Sequence, residues 1–345
     1  MSITNADATA AYDLLSHARH IRCICHRNPD GDAIGALLGS GLLFEHAFPT
    51  ATVSFHCVDP IPEQFHFLPA ALRVTPVPLP PGEGPDAMRS DDVIVFLDIA
   101  EPKLTGLDRS HTRLFDGSIR TINIDHHPDN PRYGTINLVV SDFCSSCEVV
   151  ARLAELLHWT IDAEIATCLL TGVYTDTGGL LHSNTNARVY RTVAFLLRQG
   201  ARRQHIVTAV YRTADLSTLR LWGRVMEKVT VTEEGGAISA VTEGDFRATG
   251  APYSALTGAI DYVNAVPGMR FSLILSERQG KVKGSLRTLR DDVDVSAMAG
   301  KFSGGGHRKA AGFALTGKLK PEMRWKVVDE GASNNPEQAT DVSSH

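Results

Sequence analysis

Four times in the first half of the chain an apolar run ends abruptly in a charged tip: IRCICHRNPDGD, DVIVFLDIAEP, TINIDHHPDN and TCLLTGVYTDTGGL. Runs this short and this apolar read as strands or helices buried on both sides. Between them, AIGALLGSGLLFEHA and CEVVARLAELLHW are patterned as helices, and Ser145 with Glu148 three residues on predicts a capping box opening the second. The alternation predicts an α/β domain over residues 1–186, a parallel sheet with helices on both faces. In such sheets the chemistry collects at the carboxyl ends of the strands, where the charged tips fall.

The pattern then changes. Residues 187–227 read as consecutive basic helices with apolar faces, a helical linker. From 228 to 322 short alternating runs predict a smaller α+β domain with a mostly antiparallel sheet, including a hairpin through the Arg-Gln-Gly turn of FSLILSERQGKVKGSLRTL. A helix, VSAMAGKF, and a glycine loop, SGGGHRKAAG, follow. Residues 323–345 form a terminal segment ending in a polar tail expected to be disordered.

Composition narrows the function classes. The 345 residues carry a net charge of -5, so no overall basic field exists to hold long nucleic acids by counterion release. A short anionic substrate in a local site remains open. No run approaches the length of a membrane span, and the N-terminus lacks a basic start and an apolar signal region, which predicts a cytoplasmic protein. Its six cysteines should then be reduced. Cys144 and Cys147 form a lone C-x-x-C with no second pair, and a structural role is expected for both.

Each charged tip has a plain reading beside a chemical one. Asp32 can cap a helix and Asp30 can make an Asx turn, but neither role accounts for His26 at the strand end. Asp98 and Asp176 can each be simple element termini. The Asp125-His126-His127 triplet resists such a reading, because adjacent histidines serve packing poorly. If Asp30, Asp32, Asp98 and Asp176 converge, each like-charged pair a few ångströms apart costs about 4 kcal/mol at an effective dielectric near 20. Two divalent ions would offset four carboxylates, with His26 and His126 completing the coordination. An oxygen and nitrogen donor set favours Mn²⁺, then Mg²⁺ or Co²⁺. In the second domain, Gly304, Gly305, Gly306 and His307 allow a backbone anion nest or a plain turn, and Arg287 on the preceding strand suits bidentate phosphate capture.

The ordered motifs HRNPDGDAIG, VFLDIAEP, IDHHPDN and YTDTGGLLHSNT, followed by GSLRTLRDDVDVSAMAGKFSGGGHRKAAG, resemble the DHH phosphoesterase family with its DHH-associated C-terminal domain. The resemblance covers nearly the whole chain and is strongest to the compact oligoribonuclease and 3'-phosphoadenosine-5'-phosphate phosphatase branch. It implies that His26, Asp30 and Asp98 hold one metal, and that Asp32, Asp98, His126 and Asp176 hold the other. Asp98 would bridge them, His127 would face the scissile phosphate, and Asp125 would orient a histidine from behind. Arg287 and the Gly304 to His307 loop would hold the substrate's terminal phosphate and nucleotide. A homodimer is a further expectation from the resemblance.

The expected activity is metal-dependent hydrolysis of short oligoribonucleotides and of 3'-phosphoadenosine-5'-phosphate, catalytic weight falling on His127 and Asp98. One rival keeps the chemistry with a cyclic dinucleotide or its linear product as substrate. Another is a nucleotide-binding sensor without catalysis, for which loss of a ligand would be the expected sign, and all candidates are present.

Overall fold

The computed structural model describes residues 3–75, 92–212 and 214–320, and the expected terminal segment 323–345 lies outside them. The chain divides into two compact units, Met1–Thr213 and Ala214–His345.

The first unit runs α1 (Asn5–Ser16), β1 (His20–Cys25), α2 (Gly31–Ala47), β2 (Thr52–His56), β3 (Asp92–Leu97), β4 (Arg120–Asp125), β5 (Ile136–Val139), α3 (Ser146–Leu156), α4 (Ala163–Asp176), α5 (Ala187–Arg198) and α6 (Arg203–Ile206). Its five strands are parallel in the order β2-β1-β3-β4-β5. Alternate residues supply two cores. Ile21, Cys23, Val93, Val95, Leu97, Ile122 and Ile124 join the core that holds Leu37 and Leu38 of α2 and Leu169 of α4. Ile24, Ile94 and Phe96 instead cluster with Ile99, Leu107 and Leu114. That second face is covered by short 3-10 turns, Pro102–Thr105 and Thr112–Leu114, where the sequence predicted helices.

All five residues of β3 from Val93 to Leu97 are fully buried. Each such side chain contributes about 1.5–3 kcal/mol. The sum exceeds the roughly 1–3 kcal/mol of a strained backbone residue, and Asp98, next in the chain, has φ 59°. Burial of the strand therefore holds an aspartate in a conformation it would otherwise leave. Helices α2 and α4 meet through glycines: a Cβ at Gly35 would lie 2.5 Å from the Cys168 carbonyl oxygen, and one at Gly172 would lie 2.4 Å from Asp32 Oδ1. Larger residues at either position would separate the helices that carry Asp32 and Asp176.

The helices expected as a linker divide between the units. Val189, Val193 and Leu196 of α5 and Ile206 of α6 lie in the first unit's core. Leu221 and Val225 of α7 (Leu216–Glu227) anchor a core in the second. Apolar faces on consecutive helices look alike in sequence, and only packing reveals which core each one joins.

The second unit continues with β6 (Thr230–Val231), β7 (Gly236–Val241), α8 (Glu243–Thr249), α9 (Ala259–Asn264), β8 (Phe271–Arg278), β9 (Lys281–Arg287), α10 (Val295–Gly300), β10 (Gly305–His307) and β11 (Ala310–Thr316). Its sheet has the order β10-β11-β9-β8-β7-β6, antiparallel except for the β7–β8 pair. The predicted hairpin is β8–β9, turning through Gln279 and Gly280, both left-handed.

Candidate metal centre

The first acids and imidazole are set by β1 and the start of α2. His26 follows β1, and its Nδ1 lies 2.8 Å from the Arg27 carbonyl oxygen, which places the proton on Nδ1 and turns Nε2 inward. Asp30 caps α2, accepting from the amides of Asp32 and Ala33 at 3.0 Å each. The cap is thus Asp30, not Asp32, and the plain and chemical readings of Asp30 coexist in one side chain. Asp32, in the first turn of α2, accepts from the Ser146 amide at 2.6 Å and the Cys147 amide at 3.0 Å.

Asp98 leaves β3, Asp125 ends β4 with His126 and His127 beyond it, and Asp176 ends α4. Three of the four charged tips therefore sit at strand ends. The fourth is a helix terminus, because the run that ends in Asp176 is fourteen residues long and is capped by Asp162.

These residues meet. His26 Nε2 lies 3.5 Å from Asp98 Oδ2 and 3.9 Å from Asp30 Oδ1. His126 Nε2 lies 3.2 Å from Asp176 Oδ2, 3.7 Å from Asp98 Oδ1 and 3.9 Å from Asp32 Oδ2. Three trios of donor atoms, His26/Asp30/Asp98, Asp32/His126/Asp176 and Asp98/His126/His127, each fall within 4.8 Å and could hold a cation. Asp98 belongs to two of them and presents a different oxygen to His26 than to His126.

Asp125 stands behind the trios and is fully buried. Its Oδ1 accepts from the His126 amide and lies 2.8 Å from His127 Nδ1, while Oδ2 accepts from Asn130 Nδ2 at 2.6 Å. Asn130 in turn accepts from Asn123 at 3.0 Å. Sequence reasoning did not single out Asn130, although it closes the IDHHPDN stretch.

The electrostatics ask for cations. Burial, then the charges of neighbouring acids, pushes Asp32 and Asp176 well above the ordinary carboxyl range. Burial also opposes the charge on Asp98, but the close approach of His26 and the charges of His126 and His127 outweigh it and lower that carboxyl. His26 is pushed up to about 10, burial being overcome by Asp98 and Asp30, and His127 to about 9, burial being overcome by Asp125 and Asp98. Burial keeps His126 below its usual value. Among the described residues, no lysine or arginine pairs with Asp30, Asp32, Asp98 or Asp176. Buried carboxylates such as Asp32 and Asp98 are costly in this state, and divalent ions held by the trios would offset that cost. Burial raises the Cys144 and Cys147 thiols, so this C-x-x-C is not a thiolate pair, and all six cysteines are free of disulfides.

In the second unit, register aligns Arg287 of β9 with Ala310 of β11, and Ala310 with His307 of β10. Directly opposed residues share a sheet face, so an arginine and a histidine flank a small alanine. Arg287 is half-buried, donates to the Leu286 carbonyl at 2.9 Å, and is held below its usual range by burial. The glycine loop is an edge strand more than a nest: a Cβ at Gly304 would lie 2.2 Å from the Gly312 carbonyl oxygen, and one at Gly306 would lie 2.6 Å from that of Ala310. Gly305 faces open space.

Residues 20–173 match the model of the DHH family N-terminal domain, and residues 234–332 match the DHHA1 domain. Over 299 residues the chain is 35% identical to the bifunctional oligoribonuclease and PAP phosphatase NrnA of Thermus thermophilus, covering 85% of this chain and 83% of that one. The chain belongs to the DHH family. DHH phosphoesterases depend on divalent metal, in keeping with the donor trios. An exopolyphosphatase-related protein from Bacteroides fragilis has the same fold, with a TM-score of 0.80 at 25% identity over 93% of both chains. A cyclic-di-AMP phosphodiesterase, GdpP of Geobacillus thermodenitrificans, is 22% identical over 95% of this chain and 50% of its own length. Among the described residues, no helix of this DHH protein is long and apolar enough to cross a membrane.

Proposed function

We propose that this chain is a cytoplasmic, divalent-metal-dependent phosphoesterase that hydrolyses short oligoribonucleotides and 3'-phosphoadenosine-5'-phosphate. The observation that carries the reading is Asp98, whose two oxygens face two different imidazoles while five fully buried strand residues anchor it. His26, Asp30 and Asp98 would hold one ion, and Asp32, Asp98, His126 and Asp176 the other, with Mn²⁺ the best match to the donors. When bound, two such ions neutralise charge developing on a phosphoryl group and lower the pKa of a water.

The chain's own residues do the rest. Asp98, buried at the end of its strand, presents one oxygen toward His26 and the other toward His126. His127 keeps its Nδ1 proton against Asp125, so Nε2 is the atom that donates to a phosphoryl or leaving-group oxygen. Asn130 holds Asp125 in turn, fixing the ring plane. Arg287 and His307, with the Gly304, Gly305 and Gly306 edge, are assigned to the terminal phosphate and nucleotide; the alanine between the two side chains leaves room for an anion. A few phosphates, not a long strand, suit a protein of net charge -5.

The similarity to a cyclic-di-AMP phosphodiesterase supports a second substrate, a cyclic dinucleotide or its linear product. Chromatography of products from two- to five-nucleotide RNAs, 3'-phosphoadenosine-5'-phosphate and a cyclic dinucleotide, with Mn²⁺ added, separates the readings. Fastest turnover on the dinucleotide RNA and the bisphosphate is expected. A preference for the cyclic dinucleotide would replace this assignment.

A further inference from the structure

Beside the acids and imidazoles, a serine side chain touches the centre and has been given no role. Ser146, fully buried at the start of α3, donates its hydroxyl to Asp98 Oδ1 at 2.9 Å. Its amide donates to Asp32 Oδ2 at 2.6 Å, and the next amide, Cys147, to Asp32 Oδ1 at 3.0 Å. A single turn of helix therefore grips two acids that arrive from α2 and β3.

That turn is itself braced. Ser145 caps α3, accepting from the Glu148 amide at 3.1 Å. The Glu148 carboxylate reaches back to the Cys144 amide at 2.8 Å, and its other oxygen takes Arg188 Nε at 3.1 Å. Cys144, Ser145, Ser146, Cys147 and Glu148 are all buried. The SSCE stretch thus divides its work: the first serine caps, the glutamate locks the entry, and the second serine points at the acids.

We infer that Ser146 is a positioning residue of the metal centre, fixing the rotation of the Asp98 carboxylate so that Oδ2 is directed to the His26 side and Oδ1 to the His126 side. The inference rests on the metal-centre reading above. Asp98 Oδ1 lies 3.7 Å from both His126 Nε2 and His127 Nδ1, too far for a hydrogen bond from either ring. The serine hydroxyl is therefore the close donor that tells the two oxygens apart on that side. Without it the carboxylate can turn about its last torsion, and the shared ligand is no longer preset for two ions. Hydrogen bonds to metal-ligating carboxylates typically alter affinity or activity by about 10–100-fold when removed.

The test is direct Mn²⁺ binding by calorimetry to metal-stripped protein, with activity measured against free Mn²⁺ alongside. Ser146→Ala should weaken Mn²⁺ binding by about 10-fold or more, raise the Mn²⁺ concentration needed for half-maximal turnover in parallel, and recover most of kcat at saturating Mn²⁺. Ser146→Thr, which keeps the hydroxyl, should recover part of the affinity. Ser40→Ala removes another fully buried serine hydroxyl of the same unit, one with no hydrogen-bond partner among the described residues, and should bind Mn²⁺ as the parent does. Circular dichroism of each metal-free variant checks that it is folded. Parental Mn²⁺ affinity in folded Ser146→Ala would overturn the inference, as would equal weakening in Ser40→Ala. Should the parent itself bind no Mn²⁺, the metal-centre reading fails first, and that outcome is distinct from either.

Discussion

Metal binding to this centre must displace protons, and the structure gives the size of the effect. In the metal-free protein His26 is pushed up to about 10, burial being outweighed by Asp98 and Asp30. At pH 7 its Nε2 therefore carries a proton that has to leave before the nitrogen can ligate. Three units of separation make that competition worth about a thousand-fold in apparent affinity, relaxing about tenfold per pH unit as pH rises toward 10. Asp32 and Asp176 are raised as well, by burial first and then by the charges of neighbouring acids. The sign for stability is opposite. A histidine whose folded value lies above its unfolded 6.5 stabilises the fold fully below about pH 6.5, and that contribution is lost as pH climbs through about 10. Metal-free protein should thus lose stability from pH 7 to pH 10 while its affinity for Mn²⁺ increases. Calorimetric titration with Mn²⁺ at pH 7, in buffers of differing ionisation enthalpy, counts the protons, and at least one per chain should be released. His26→Ala should release fewer. Zero release, or affinity flat between pH 6 and 9, would mean that His26 is not a protonated ligand of this centre.

Asp98→Ala should cut turnover of a diribonucleotide by about three orders of magnitude or more, measured by product chromatography, because one oxygen is lost from each side of the centre. Gly172→Ala places a methyl 2.4 Å from Asp32 Oδ1 and 2.3 Å from the Cys147 sulfur, and overpacking of this kind costs about 1–3 kcal/mol. Its thermal midpoint should fall and its Mn²⁺ requirement rise together. Arg287→Ala should raise KM for 3'-phosphoadenosine-5'-phosphate far more than it lowers kcat, since the side chain is assigned to binding; an equal fall in kcat would instead place it at the reacting phosphate.

Much of this was legible in the chain because the strands announce themselves. VIVFLD, TINID and IRCICH alternate between two buried faces and end in the residues that matter, so their carboxyl edge could be read as the reactive one. The element under Asp176 stayed open between strand and helix, since an apolar run buried on all sides shows no period. Coverage of the second sheet face by short 3-10 turns left no helical pattern to read, only Leu104, Leu107 and Leu114 at irregular spacing. Ser146 was hidden by its neighbour: Ser145 accounts for the cap, and nothing local indicates that the next hydroxyl meets an aspartate 48 residues earlier. Ala310 was equally silent, because its place between Arg287 and His307 is a matter of strand register, which one sequence does not fix.

The proposed site for two divalent ions draws its acids and imidazoles from four separate segments. Native mass spectrometry of metal-stripped protein titrated with Mn²⁺ tests it most directly. Two ions per folded chain are predicted for the parent, and no more than one for Asp98→Ala, with hydrolysis appearing in the parent as the second ion binds. A parent that turns over substrate in excess chelator, or that takes up its ions undiminished without Asp98, would contradict the account.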